Sequence, residues 1–149
     1  MKVRDLMSRE IITVGRNDPV SVADERMEAH RIRHLPVLDE DGELAGIVSR
    51  RDVFRTALRR TLGYGEAAQV KLFGLLRVKE VMTNEVETAA PGDPLADAAR
   101  RMLEKRIGAL VVVEWGRVVG ILTEGDFVRH AAGEPPSRKG LGLRASADA

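Results

Sequence analysis

Two stretches of this chain are copies of one another, and that duplication restricts the fold more than any other feature. Val3-Arg4-Asp5-Leu6-Met7-Ser8 returns as Val78-Lys79-Glu80-Val81-Met82-Thr83, and Asp18-Pro19-Val20 returns as Asp93-Pro94-Leu95. Arg31-Ile32-Arg33-His34-Leu35-Pro36-Val37 is matched by Arg106-Ile107-Gly108-Ala109-Leu110-Val111-Val112, and Gly46-Ile47-Val48-Ser49-Arg50-Arg51-Asp52 by Gly120-Ile121-Leu122-Thr123-Glu124-Gly125-Asp126. Residues 3–39 align with 78–114 and residues 42–57 with 116–131, at 19 identities in 53 positions. Ordinary amino-acid usage would give roughly three or four. Two long units fall short of a solenoid, which needs about three or more stacked repeats, so the pair should pack as two halves of one body.

Each unit has the pattern β-α-β-β-α. Residues 11–14 and 86–88 are short apolar strands. Asp18-Pro19 and Asp93-Pro94 are helix starts, with Asp placed to cap free N–H groups and Pro suited to the first helical position. Val20, Ala23 and Met27 then share one helical face, as do Leu95, Ala98 and Met102; the methionines are core filling. Residues 35–38 and 109–113 should be buried strands. An acidic turn at 39–43 leads to a strand at 44–49, and Trp115-Gly116 makes a tighter turn into 118–123. Second helices follow at 51–59 and 124–131. The expected division is repeat 1 at 1–60, a linker with a helix at 61–77, repeat 2 at 78–132 and a flexible tail at 133–149.

Composition narrows the function. Aromatics are 3% of 149 residues while hydrophobic residues are 44%, so the core is aliphatic. With no cysteine, disulfides and Cys-based metal chemistry are excluded. A net charge of +1 gives no broad footprint for nucleic acid or anionic membrane, and the arginine pairs read as solvated helix faces. The charged opening residues do not suit a signal peptide, and no apolar run approaches the roughly 18 residues of a membrane span. A cytoplasmic location is expected.

The chemistry concentrates where a strand runs into a helix. Ser49 and Asp52, and their copies Thr123 and Asp126, set a hydroxyl and a carboxylate three residues apart at a helix start, where free N–H groups and the helix dipole favour an anion. Such a carboxylate can accept two hydrogen bonds from vicinal ribose hydroxyls. The same spacing is also a capping box that serves the helix's own amides, and spacing alone leaves both readings open. A pure cap tolerates Asp→Glu or Asp→Asn, whereas a diol clamp does not. His30 and His34 have a helical metal-ligand spacing, but a strand beginning at Leu35 separates them, so no metal site is expected. Asp39-Glu40-Asp41-Gly42 has too few ligands for a calcium loop. There is no Gly-rich phosphate loop, nucleophile elbow or zincin helix, so an enzyme is not expected.

The Val-x-Asp/Glu-Leu/Val-Met-Ser/Thr opening, the Asp-Pro helix start, His34-Leu35-Pro36-Val37 and the Gly-Ile-x-Ser/Thr-x-x-Asp close together resemble the CBS (cystathionine-β-synthase-type) domain, twice, over about residues 1–131. That resemblance implies an α/β fold of two tandem β-α-β-β-α repeats packed as a pseudo-twofold module, with clefts between the repeats that bind AMP, ADP, ATP or S-adenosylmethionine. It would place ribose on Asp52 and Asp126, with Ser49 and Thr123 facing phosphate or sugar. Adenine would lie between the first strand (Ile12-Thr13, and Glu87-Thr88) and the segment before the second (Arg33, His34, Leu35 and Pro36, with Ala109 in repeat 2). Arg33, His34, Arg50 and Arg51 would favour phosphate in repeat 1. Repeat 2 has Gly108, Ala109, Glu124 and Gly125 there, which suits a weaker site or a less anionic ligand. The resemblance also implies a homodimer and, with no effector domain in the chain, an effector protein acting in trans. No cofactor is required. The competing reading is a ligand-free scaffold for dimerisation or protein interaction.

Overall fold

In the computed structural model, residues 1–61 and 65–136 are described. Residues 62–64 of the expected chain break and 137–149 of the expected tail lie outside the described residues. In chain order the elements are α1 (Val3–Leu6), β1 (Val14–Gly15), α2 (Val20–His30), β2 (His34–Leu38), β3 (Leu44–Ser49), α3 (Arg50–Thr61), α4 (Glu66–Leu75), a 3-10 turn (Val78–Glu80), β4 (Thr88–Ala89), α5 (Leu95–Lys105), β5 (Ala109–Glu114), β6 (Arg117–Thr123) and α6 (Glu124–Ala131). The fold is α/β, with the β-α-β-β-α order expected of each repeat. There are two three-stranded sheets, ordered β1-β2-β3 and β4-β5-β6. In each, the first two strands are parallel across a helical crossover and the last two form an antiparallel hairpin.

The compact units do not coincide with the sequence repeats. One unit is Ile12–Glu85; the other combines Met1–Ile11 with Val86–Ala149. The opening segment of each repeat therefore belongs to the body formed by the other. Residues 76–83 hold the first body at two places. Leu76 C=O accepts the Val20 N–H at 2.9 Å, and Val78 N–H donates to Asp18 C=O at 2.9 Å. Further along, Ile47 N–H donates to Thr83 C=O (3.0 Å) and Thr83 N–H to Ile47 C=O (2.9 Å). The second body repeats this arrangement. Leu95 N–H donates to Met1 C=O and Val3 N–H to Asp93 C=O, both at 2.9 Å, while Ser8 and Ile121 exchange bonds of 2.9 and 3.1 Å. Gly46 and Gly120 permit the approach: a Cβ at Gly46 would lie 2.7 Å from Thr83 O, and one at Gly120 would lie 2.9 Å from Ser8 O.

The first core gathers Val14, Val20, Met27, Leu35, Val37 and Val48 with Phe73, Leu76 and Val78 from the linking segment. The second gathers Leu95, Met102, Leu110, Val112 and Leu122 with Val3, Leu6 and Met7. Val3 and Val78, the first residues of the repeated opening, are wholly buried, so each opening carries its own apolar anchor into the other repeat's body.

Three details correct the expectations. The first strands are only two residues long, Val14–Gly15 and Thr88–Ala89, and the Thr13 carbonyl just ahead of the first accepts Arg26 Nη1 at 2.7 Å. The Asp-Pro pairs start helices, but Pro19 and Pro94 sit at the N-cap itself. Asp18 and Asp93 do not cap the helices; their Oδ2 atoms accept the N–H groups of Gly15 (2.8 Å) and Ala90 (2.9 Å), closing the turn ahead of each helix. The docked opening segment supplies the acceptor for the first helical amide. Elsewhere the hairpin turns behave as read. Asp39 Oδ1 accepts the N–H groups of Asp41 and Glu43, while Trp115 and Gly116 both take positive φ, with Trp115 92% exposed. Among the described residues no helix is long and apolar enough to cross a membrane.

Candidate functional site

β3 ends at Ser49 and α3 begins at Arg50, so a buried strand delivers its last residue to the rim. The β2–β3 register sets His34 opposite Ser49, and Arg50 N–H donates to Arg33 C=O at 2.8 Å. Arg33, His34, Ser49, Arg50, Arg51 and Asp52 thus share one corner, where Arg33, Arg50 and Arg51 are exposed and Asp52 is half-buried. The second repeat builds the same corner from Ala109 opposite Thr123, with Glu124 N–H donating to Gly108 C=O at 3.2 Å. No basic residue replaces Arg33, His34, Arg50 or Arg51 there.

At both corners one carboxylate oxygen is engaged by the helix start. Ser49 N–H donates to Asp52 Oδ2 at 2.9 Å, and Asp52 N–H donates to Ser49 Oγ at 3.1 Å. Thr123 N–H donates to Asp126 Oδ2 at 2.8 Å, and the Thr123 hydroxyl lies 3.3 Å from the same oxygen. The capping-box reading is therefore physically realised. It uses one oxygen of each carboxylate, so capping does not in itself exclude a ligand at the other.

Ile12, Thr13 and Thr88 lie apart from these corners. Ile12 and Thr13 precede β1, which pairs with β2 on the edge away from β3. Thr88 opposes Val111 on the corresponding edge of the second sheet. Ile12 and Leu35 are in the first core, and Pro36 and Ala109 are buried; of Ile12 and Leu35 only the main chain could face a ligand. His30 closes α2 and His34 opens β2, so the two do not share a helix, and among the described residues no group of three or more His, Asp or Glu could hold a metal ion.

Two residues escaped the sequence reading. Arg26 takes the Thr13 carbonyl, and Arg101 Nη2 takes the Thr88 carbonyl, each at 2.7 Å. These arginines occupy the same aligned position, and that identity was the available signal. Arg101 also pairs with Glu87 at 3.0 Å. Its hydrogen bond, aided by the Lys105 charge and opposed by desolvation, holds the Glu87 carboxyl below the usual carboxylate range. Glu40 is lowered likewise, by a backbone hydrogen bond first and then by Asn17 and Arg16.

A family model described as CBS domain matches residues 3–59 and 78–133. The CBS domain-containing protein YhcV of Bacillus subtilis is 33% identical over 125 residues, covering 84% of this chain and 81% of the relative. The chain spans only part of some curated relatives: 41% of an uncharacterised Methanocaldococcus jannaschii protein that is 29% identical over 127 residues, and 23% of that organism's L-aspartate semialdehyde sulfurtransferase, 33% identical over 133 residues. These two alignments cover 85% and 89% of this chain. Among solved structures, the CBS domain pair of protein MJ0100 in complex with 5'-methylthioadenosine and S-adenosyl-L-methionine superposes with a TM-score of 0.74 at 31% identity, covering 89% of this chain and 97% of the other. CBSX2 in complex with AMP gives a TM-score of 0.68 at 30% identity, covering 89% and 96%.

Proposed function

This chain belongs to the CBS domain family, and from that premise we propose that it is a regulatory module binding an adenosine-type ligand (AMP, ADP, ATP or S-adenosylmethionine) at its strand-to-helix corners. It regulates in trans rather than catalysing a reaction. The carrying observation is the corner of the first repeat. Asp52 is fixed by the Ser49 N–H through one oxygen, and its other oxygen accepts no hydrogen bond among the described residues. Exposed Arg33, Arg50 and Arg51 lie on the same rim. A fixed, half-buried carboxylate suits a vicinal diol, and the adjoining guanidiniums suit phosphate. The complexes of the MJ0100 domain pair and of CBSX2 with adenosine compounds support the ligand class. Ile12, Thr13, Thr88 and Ala109 would border adenine, and His34, Leu35 and Pro36 would line its approach largely through the main chain. Ligand binding would bias a conformational or dimer equilibrium that an effector protein reads.

A ligand-free scaffold is the second reading, favoured by one observation: Phe54 and Leu58 on α3 and Val128 on α6 expose apolar surface. Thermal unfolding with each ligand separates the two. A ligand at 100 times its dissociation constant adds about 2.7 kcal/mol, and Asp52→Ala should abolish that gain. A flat response to AMP, ADP, ATP and S-adenosylmethionine, with self-association persisting, would leave only the scaffold.

A further inference from the structure

The two corners differ in the fate of the second carboxylate oxygen. Asp126 is only 4% exposed, and Arg129 Nη2 stands 4.0 Å from its Oδ1. Arg129 is itself two-thirds buried, and its Nε is enclosed with no hydrogen-bond partner among the described residues. The aligned residue of the first repeat, Arg55, is exposed and forms no ion pair among the described residues.

The two helix starts also differ at their second residue, Gly125 in one and Arg51 in the other. A Cβ built at Gly125 would lie 3.6 Å from both Arg129 Nη2 and Thr123 Oγ1, so the guanidinium crosses the first turn of α6 directly over the bare glycine and beside the hydroxyl. The aligned position in the first repeat is Arg51, which is exposed. The same Asp-x-x-Arg spacing therefore gives a covered carboxylate in one repeat and an accessible one in the other.

We propose that Arg129 is a latch over the second corner. It covers the oxygen that a ribose hydroxyl would need, so an adenosine-type ligand occupies the first corner and is kept from the second until Arg129 moves. The latch is held loosely: the Nη2 contact is at the limit of ion-pair distance, and the enclosed Nε–H forgoes the hydrogen bonds it would make in water. This inference rests on the ligand reading above and adds to it an inequality between the repeats that does not depend on Arg33 or His34.

Two measurements test it. In isothermal titration with AMP, the wild-type chain should bind about one equivalent, Asp52→Ala none, and Arg129→Ala about two. Arg129→Gln, which keeps a polar side chain without the charge, should also give two and guards against misfolding of Arg129→Ala. In NMR, the Arg129 Nε–H should exchange with solvent at least tenfold more slowly than that of Arg55, and Asp126→Asn should release it. The latch is overturned if the wild-type chain already binds two equivalents, if both opening variants still bind one, or if the two Nε–H groups exchange alike. Absence of AMP binding in every variant removes the ligand reading instead, and the exchange rates then decide the latch alone.

Discussion

Replacing Gly46 by alanine should loosen the first body at the point where residues 82–83 dock. The added Cβ would lie 2.7 Å from Thr83 O and 2.7 Å from Met82 Sδ. A methionine side chain can swing away. A backbone oxygen in a reciprocal pair of hydrogen bonds cannot do so without lengthening them. Overpacking of this kind costs about 1–3 kcal/mol, and weakening the two Ile47–Thr83 bonds, at 3.0 and 2.9 Å, adds about 1 kcal/mol. A total near 3 kcal/mol is a large part of a stability of about 5–15 kcal/mol, and for a chain of this length it lowers Tm by about 6–12 °C. Urea unfolding followed by circular dichroism measures it. Gly74→Ala is the matched control: Gly74 lies in α4, a Cβ there meets nothing within 4 Å, and the change should stabilise by about 0.5–1 kcal/mol. If the two variants shift stability in the same direction, the close-approach explanation is wrong.

Asp126→Ala should cost about 1 kcal/mol through loss of the Thr123 cap, measured by urea denaturation without ligand; no change would mean the cap is energetically idle. The Glu87 carboxyl is held low by Arg101, so the stability it contributes is fully present above the ordinary carboxylate pKa of about 4.3 and is lost as pH falls through its lower folded value. Glu87→Gln should flatten that part of the acid limb in a pH series of thermal melts, and an unchanged limb would refute the assignment. A fragment of residues 12–85, holding one complete unit, should unfold cooperatively in urea. A fragment of residues 1–61, cut at the repeat boundary, should not, because it lacks Leu76, Val78 and Met82.

Most of the local structure was legible because it depends on nearby residues. The strand at 44–49 and the helix at 124–131 have the bounds their apolar pattern and caps suggest. The docking of each opening was not legible, because it pairs Ser8 with Ile121 and Ile47 with Thr83 through main chain, which carries no sequence signature. A repeated Val-x-x-x-Met marks a position under constraint without saying which copy it touches. Asp18 and Asp93 misled for a related reason: an Asp before a Pro can serve the turn behind it as well as the helix ahead, and only the arrival of Leu76 or Met1 settles which. At the corner, spacing disclosed the cap but not the approach of Arg129 to Asp126 Oδ1 at 4.0 Å, because the aligned Arg55 has the same spacing and forms no ion pair among the described residues.

The interleaving of openings and bodies has a genetic consequence. A substitution at Met7 or Ser8 should weaken the half encoded from Val86 onward, so lesions will map crosswise rather than by proximity. The same logic bears on ancestry. A precursor carrying a single copy would have had no neighbour in its own polypeptide to furnish the missing edge, and would have needed a second molecule for it. On that view, pairing between separate molecules came before the duplication that joined them.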